Sequence, residues 1–142
     1  MAVEENKATL KRYYEEVFNN HDLTNWDEMV DESYVMHLNG APQPLAGLEG
    51  AQQTRNQTTT FAPDGKINIE EMVAEGEFIA IHGKATGTHT GEALGIKPTG
   101  NKFTREYAAF YRFKNGKIAE GWALHDMLGF YQQLGVTPPT GQ

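Results

Sequence analysis

Apolar residues recur with a helical period at the start of the chain and with a strand period in its second half. Five of them share one stripe of a first helix: Leu10, Tyr13, Tyr14, Val17 and Phe18. A break follows at 19–22, and Asp22 or Thr24 is suited to cap a second short helix carrying Trp26, Met29 and Val30. Residues 33–38 predict a strand, 39–47 a loop rich in glycine and proline, and 48–61 a polar helix.

The second half of the chain is typical of an antiparallel sheet. Alternation around Ile67 and Ile69, over 78–88, over 103–113 and over 118–124 predicts four strands. Asn115-Gly116 is the strongest turn signal, because this dipeptide favours the type I′ hairpin. A short helix over 127–134 then ends at Gly135.

This order of elements predicts an α+β fold in which a curved antiparallel sheet and the N-terminal helices form a cone-shaped barrel with an internal cavity. The length of 142 residues suits a single domain over 1–142. Such a cavity is a common place for a small ligand.

Composition narrows the classes of function. The net charge of −7 disfavours partners such as nucleic acids and anionic membranes. The absence of cysteine excludes disulfides, thiolate nucleophiles and sulfur-ligated zinc. No apolar run has the length of a membrane span, and the N-terminus lacks the pattern of a signal peptide, so we expect a cytoplasmic protein.

Asp126 is the leading candidate for acid/base chemistry. By strand alternation it shares a face with Glu120, Trp122 and Leu124, which we expect to be the apolar side. Burial there would raise the pKa of the carboxyl and suit it to act as a general acid. The same residue is equally well placed to cap the helix that follows, and the two roles are compatible.

The histidines are weaker candidates. His37 follows the first predicted strand, and His82 lies opposite the face of Ile79 and Ile81. His89 ends that strand, on the same face as Ile79 and Ile81 if no bulge intervenes. By alternation His125 faces away from Asp126, and we expect His21, Arg105 and Arg112 at the surface or at a subunit interface. The spacing of the histidines does not favour a metal site.

Four stretches, 12–23, 85–100, 115–122 and 126–135, together resemble the SnoaL-like polyketide cyclase family. The resemblance implies the nuclear transport factor 2-like cone, a homodimer or homotetramer, and intramolecular aldol closure of a polyketide ester without cofactor or metal. It carries the aspartate general acid/base to Asp126 and makes His89, His82 and His37 pocket candidates.

For a small hydrophobic or aromatic substrate of this kind, we expect Trp122, Tyr14, Tyr107 and Phe18 to pack against the rings. Two alternatives remain open. One is a hydrolase or dehydratase that uses the same pocket. The other is a non-catalytic binding or assembly module, in which Asp126 only caps a helix.

Overall fold

The computed structural model describes residues 2–92 and 95–137. The helices are α1 (Ala2–Tyr13), which continues as a π-helical segment (Tyr14–Asn19), α2 (Trp26–Met29), α3 (Gly47–Phe61) and α4 (Met127–Leu134). The strands are β1 (Val30–Leu38), β2 (Leu45–Ala46), β3 (Lys66–Glu75), β4 (Phe78–Thr88), β5 (Lys102–Lys114) and β6 (Lys117–His125). The α+β class is therefore confirmed.

The six strands form one open, curved sheet in the order β2-β1-β6-β5-β4-β3. Neighbouring strands are antiparallel with one exception: β1 pairs with β6 in parallel, with Val35 opposite Glu120. The exception arises because β1 precedes the β3–β6 meander and reaches its far edge through a long connection. The sheet is thus mixed where we expected an antiparallel one.

The helices cover one face of the sheet, which we call the inner face. The apolar stripe of α1 is confirmed, since Leu10, Tyr13 and Tyr14 are buried against it. A second cluster joins the end of α3 to α4 through Phe61, Phe103 and Phe130. On the opposite, outer face the large apolar side chains Phe78, Phe110, Leu124 and Val73 remain exposed.

Local turn chemistry agrees with the sequence. Asn115 and Gly116 both have positive φ (51° and 79°), as the type I′ turn requires. Gly135 ends α4 in the left-handed conformation at φ 73°. One detail differs: Asn25 is the N-cap residue of α2, whereas Asp22 Oδ1 accepts a hydrogen bond from the Thr24 N–H.

Two strand boundaries also differ from expectation. β1 begins at Val30, three residues before the predicted start, and the two-residue strand β2 lies within the predicted loop. No helix of residues 2–92 and 95–137 has both the length and the apolar character needed to cross a bilayer.

Candidate active site

The two faces of β6 are the reverse of those we expected. Alternation does place Trp122, Leu124 and Asp126 together, but on the outer face, while Gly121 and Ala123 face the helices. The reason is lack of room, because a Cβ on Gly121 would lie 2.8 Å from Met36 Cε and 2.9 Å from the Tyr111 ring. At position 121 a side chain therefore does not fit on the inner side, and the prediction that the face of Trp122, Leu124 and Asp126 is buried is wrong.

Asp126 is exposed, so the expectation of a buried carboxyl group is wrong as well. Its side chain caps α4, with Oδ1 accepting a hydrogen bond from the Gly129 N–H at 2.9 Å. The capping role is confirmed. Whether the same carboxylate also performs acid/base chemistry stays a prediction.

A cleft of about 270 Å³ adjoins Asp126 at the end of β6. It brings together three of the predicted site residues, Asp126, His82 and Tyr107. The remaining lining residues come from β5 and β6: Glu106, Ala108, Leu124 and His125. The cleft is open to solvent and is rimmed by carboxylates and imidazoles, the groups that transfer protons near neutral pH.

His82 lies on the outer face, opposite Ile79 and Ile81 as predicted, between two glutamates. Its Nε2 is 2.8 Å from Glu106 Oε2, and its Nδ1 is 2.9 Å from Glu71 Oε1. These hydrogen bonds, that of Glu106 first, raise the pKa of His82 above its usual 6.5. A charged imidazolium that donates both N–H groups fits this position.

His37 and Trp122 form a second outer-face pair, several residues from Asp126 along β6. Their rings stack at a centroid distance of 5.4 Å, and His37 Nε2 is 2.8 Å from Glu120 Oε2. Glu120 also accepts a hydrogen bond from Arg112, and the His37 contact is the main reason that its pKa is lowered. Neither His37 nor Trp122 lines the cleft beside Asp126.

His89 is fully buried and belongs to the aromatic cluster at the end of α3. Its ring stacks on Phe61 at 4.2 Å, and its Nδ1 accepts from the Thr99 N–H at 3.3 Å. Its backbone bonds Gly100 and Asn101, which ties the connection before β5 to β4. His89 does not line the cleft beside Asp126.

Three tyrosine hydroxyl groups meet under α1 on the inner face. Tyr14 Oη is 2.7 Å from Tyr107 Oη and 2.6 Å from Tyr111 Oη, and all three rings are buried. Phe18 stacks on Tyr14 at 4.8 Å. Burial raises the pKa of each tyrosine. The predicted binding residues Tyr14, Phe18 and Tyr107 therefore share the inner side, whereas Trp122 lies on the outer one.

Arg105, expected at the surface or at a subunit interface, lies on the inner face. His125 also lies there, on the face opposite Asp126 as alternation predicts. His125 is the register partner of Tyr107, and their rings lie 4.7 Å apart. The Arg105 guanidinium lies 4.5 Å above the Phe130 ring. The expectation that His125 lies away from any pocket failed because its face of β6, and not the face of Asp126, meets the helices.

Burial decides the charge of these two groups. It lowers the pKa of Arg105 to about 10, which leaves the guanidinium charged at neutral pH. It lowers the pKa of His125 to about 3, with the charge of Arg105 as a further cause, so this imidazole is neutral. Arg105 Nε and His125 Nδ1 are both buried without a hydrogen-bond partner. Within residues 2–92 and 95–137, no three His, Asp or Glu side chains are arranged to hold a metal ion.

Comparisons with known proteins agree on one family. Residues 8–134 match the model of the SnoaL-like polyketide cyclase family. The aklanonic acid methyl ester cyclase DnrD of Streptomyces peucetius is 29% identical over 119 residues, which cover 80% of this chain and 82% of that protein. The cyclase AcmA of Streptomyces galilaeus, of the same description, is 24% identical over 117 residues, covering 80% and 81%.

Solved structures share the fold over nearly the whole chain. IdmH of Streptomyces antibioticus superposes with a TM-score of 0.81 at 30% identity, over 92% of this chain and 99% of IdmH. A SnoaL-like protein of Jannaschia sp. CCS1 gives a TM-score of 0.85 at 19% identity, over 95% and 94%. The latter likeness concerns the fold alone.

Proposed function

The chain belongs to the SnoaL-like polyketide cyclase family, and we propose that it closes a ring of a small polyketide ester by an intramolecular aldol reaction. The observation that carries this proposal is the cleft at the end of β6, which both Asp126 and His82 line. Relatives named as methyl ester cyclases support the choice of an ester substrate.

In the proposed reaction, the Asp126 carboxylate takes a proton from the carbon between an ester and a ketone. The resulting enolate carbon attacks a second carbonyl of the same molecule and forms the ring bond. The carboxylic acid then returns its proton to the new alkoxide, so the product has the mass of the substrate. Holding both carbons in contact supplies much of the acceleration. Protonated His82 donates its two N–H groups to Glu106 and Glu71, so it would act on an oxygen that becomes negative through its charge and not through a hydrogen bond.

Replacement of Asp126 by Asn tests the role of the carboxylate without removing the helix cap, because the Asn side-chain oxygen also accepts from the Gly129 N–H. We expect turnover of a polyketide methyl ester such as that of aklanonic acid to fall roughly 10²–10⁴-fold. Product is followed by chromatography with mass detection, where aldol closure leaves the mass unchanged.

Asp22→Asn is the matched control, since Asp22 makes the same kind of bond to a backbone N–H and does not line the cleft. This variant is expected to turn over like wild type. Undiminished turnover by Asp126→Asn would exclude Asp126 as the acid/base. A product that differs by one water would replace cyclisation by hydrolysis or dehydration.

One observation favours a second candidate, a non-catalytic binding module. The Asp126 carboxylate is exposed and already engaged as a helix cap. Under this alternative the wild-type protein binds the ester and returns it unchanged, and Asp126→Asn binds it equally well.

A further inference from the structure

Arg105 is a cation without a carboxylate partner on the helix-covered face of the sheet. The ion pairs among residues 2–92 and 95–137 do not include it. Its nearest neighbours are instead apolar or weakly polar: the Phe130 ring at 4.5 Å and Met127 Sδ, which accepts from Nη1 at 4.0 Å. Because an unpaired buried charge is costly, an anion brought by a ligand would complete this environment.

His125 provides a second buried polar atom without a hydrogen-bond partner, near Arg105. It lies next to Tyr107 on the neighbouring strand, and Tyr107 follows Arg105 by two residues on the same face of β5. The His125 Nδ1 and the Arg105 Nε are both buried and lack a partner, and the positive charge of Arg105 acts on His125. Buried polar atoms in native proteins are nearly always hydrogen-bonded, so two orphans at one place indicate a missing partner.

We infer that Arg105 and His125 form an oxyanion-binding site on the inner face of β5 and β6, which receives the carboxylate of a small flat molecule. The guanidinium supplies charge and N–H donors, and Phe130 holds its flat side. The neutral imidazole supplies one further hydrogen bond. Because this site lies on the face of the sheet opposite Asp126 and His82, the inference goes beyond the proposed function.

Benzoate is a suitable probe, because it joins a carboxylate to a flat ring, and benzamide is its uncharged match. Binding is followed by NMR at the Arg105 Nε–H and at the His125 ring. We expect benzoate to shift both signals saturably and benzamide to bind at least about tenfold more weakly, the scale of one charge-assisted hydrogen bond.

Arg105→Gln is expected to weaken benzoate binding at least about tenfold. Arg112→Gln is the matched control, because Arg112 lies on the outer face and pairs with Glu120. Arg105→Lys keeps the charge but loses the planar fork, and we expect an intermediate affinity. The melting temperature of Arg105→Gln should equal or exceed that of wild type, since the variant removes an unpaired charge.

Benzoate binding that is unchanged in Arg105→Gln, or that leaves the Arg105 and His125 signals unmoved, would overturn the inference. So would a lowered melting temperature with unchanged affinity, which would mark Arg105 as a structural residue. The two proposals fail separately. Benzoate bound at Arg105 without any turnover of the ester removes only the cyclase, whereas turnover without benzoate binding removes only the oxyanion site.

Discussion

The Tyr14 hydroxyl group provides the sharpest test of how the inner face is held together. Tyr14→Phe keeps the buried ring, so it creates no cavity and isolates the hydrogen bonds to Tyr107 and Tyr111. Two buried hydroxyl groups lose a partner at once. With a cost of about 1–3 kcal/mol for buried groups left unsatisfied, we expect the free energy of unfolding to fall by about 2 kcal/mol.

For a chain of this size, that loss corresponds to a melting temperature lower by roughly 4–8 °C. Urea unfolding measures the free energy directly, and its m-value should not change. Tyr131→Phe is the control, because the Tyr131 ring is half-buried on α4 and its hydroxyl group makes none of the hydrogen bonds found in the described part of the chain. Its cost should be below about 0.5 kcal/mol.

A double variant completes the test. Once Tyr14 is Phe, the Tyr111 hydroxyl group has already lost this partner, so Tyr111→Phe should cost less in the Tyr14→Phe background than alone. Additive losses, or a single-variant loss no larger than that of the control, would refute the idea that these hydroxyl groups act as one network.

Two further predictions follow from the core. Burial raises the pKa of Tyr14, Tyr107 and Tyr111 above that of an unfolded tyrosine, which is near 10. Their stabilising contribution is therefore complete below that pH and is lost as the pH rises above it. The melting temperature should fall between about pH 10 and about pH 12, and a constant value would contradict burial of the neutral hydroxyl groups. Gly83→Ala should lower the free energy of unfolding, measured in urea, by about 1–3 kcal/mol, because the added Cβ would clash with the backbone oxygen of Asn68. A variant as stable as wild type would show that β3 does not approach β4 so closely.

Much of the fold could be predicted because its signals are local. The stripe of α1, the Asn115-Gly116 turn and the glycine that ends α4 each depend on residues a few positions apart. The parallel pairing of β1 with β6 could not be predicted in this way, because no local pattern reports which distant strand completes a sheet edge.

The candidate site was only partly predictable for a related reason. Alternation groups Trp122 with Asp126 correctly, but it does not say which face meets the helices. At positions 121 and 123 the inner face takes glycine and alanine, and Tyr111 and Met36 fill the space above Gly121. The usual rule that large apolar residues point inward therefore gave the wrong face for Asp126, and for the same reason His125 was not predicted to lie on the helix-covered face.

The parallel β1–β6 pair also sets an order in which the chain can fold. Val35 of β1 pairs with Glu120 of β6, 85 positions later in the chain. The strands β3 to β6, in contrast, each pair with the next strand along the chain. Closing so long a loop is entropically costly, and contacts of this kind form slowly. During synthesis β1 leaves the ribosome before β6, so it gains its partner strand β6 only after residues 117–125 have been made. Until then β1 can pair only with the two-residue strand β2, so most of its edge stays open while β3 to β6 are being made, and an open strand edge is where another chain can add by mistake.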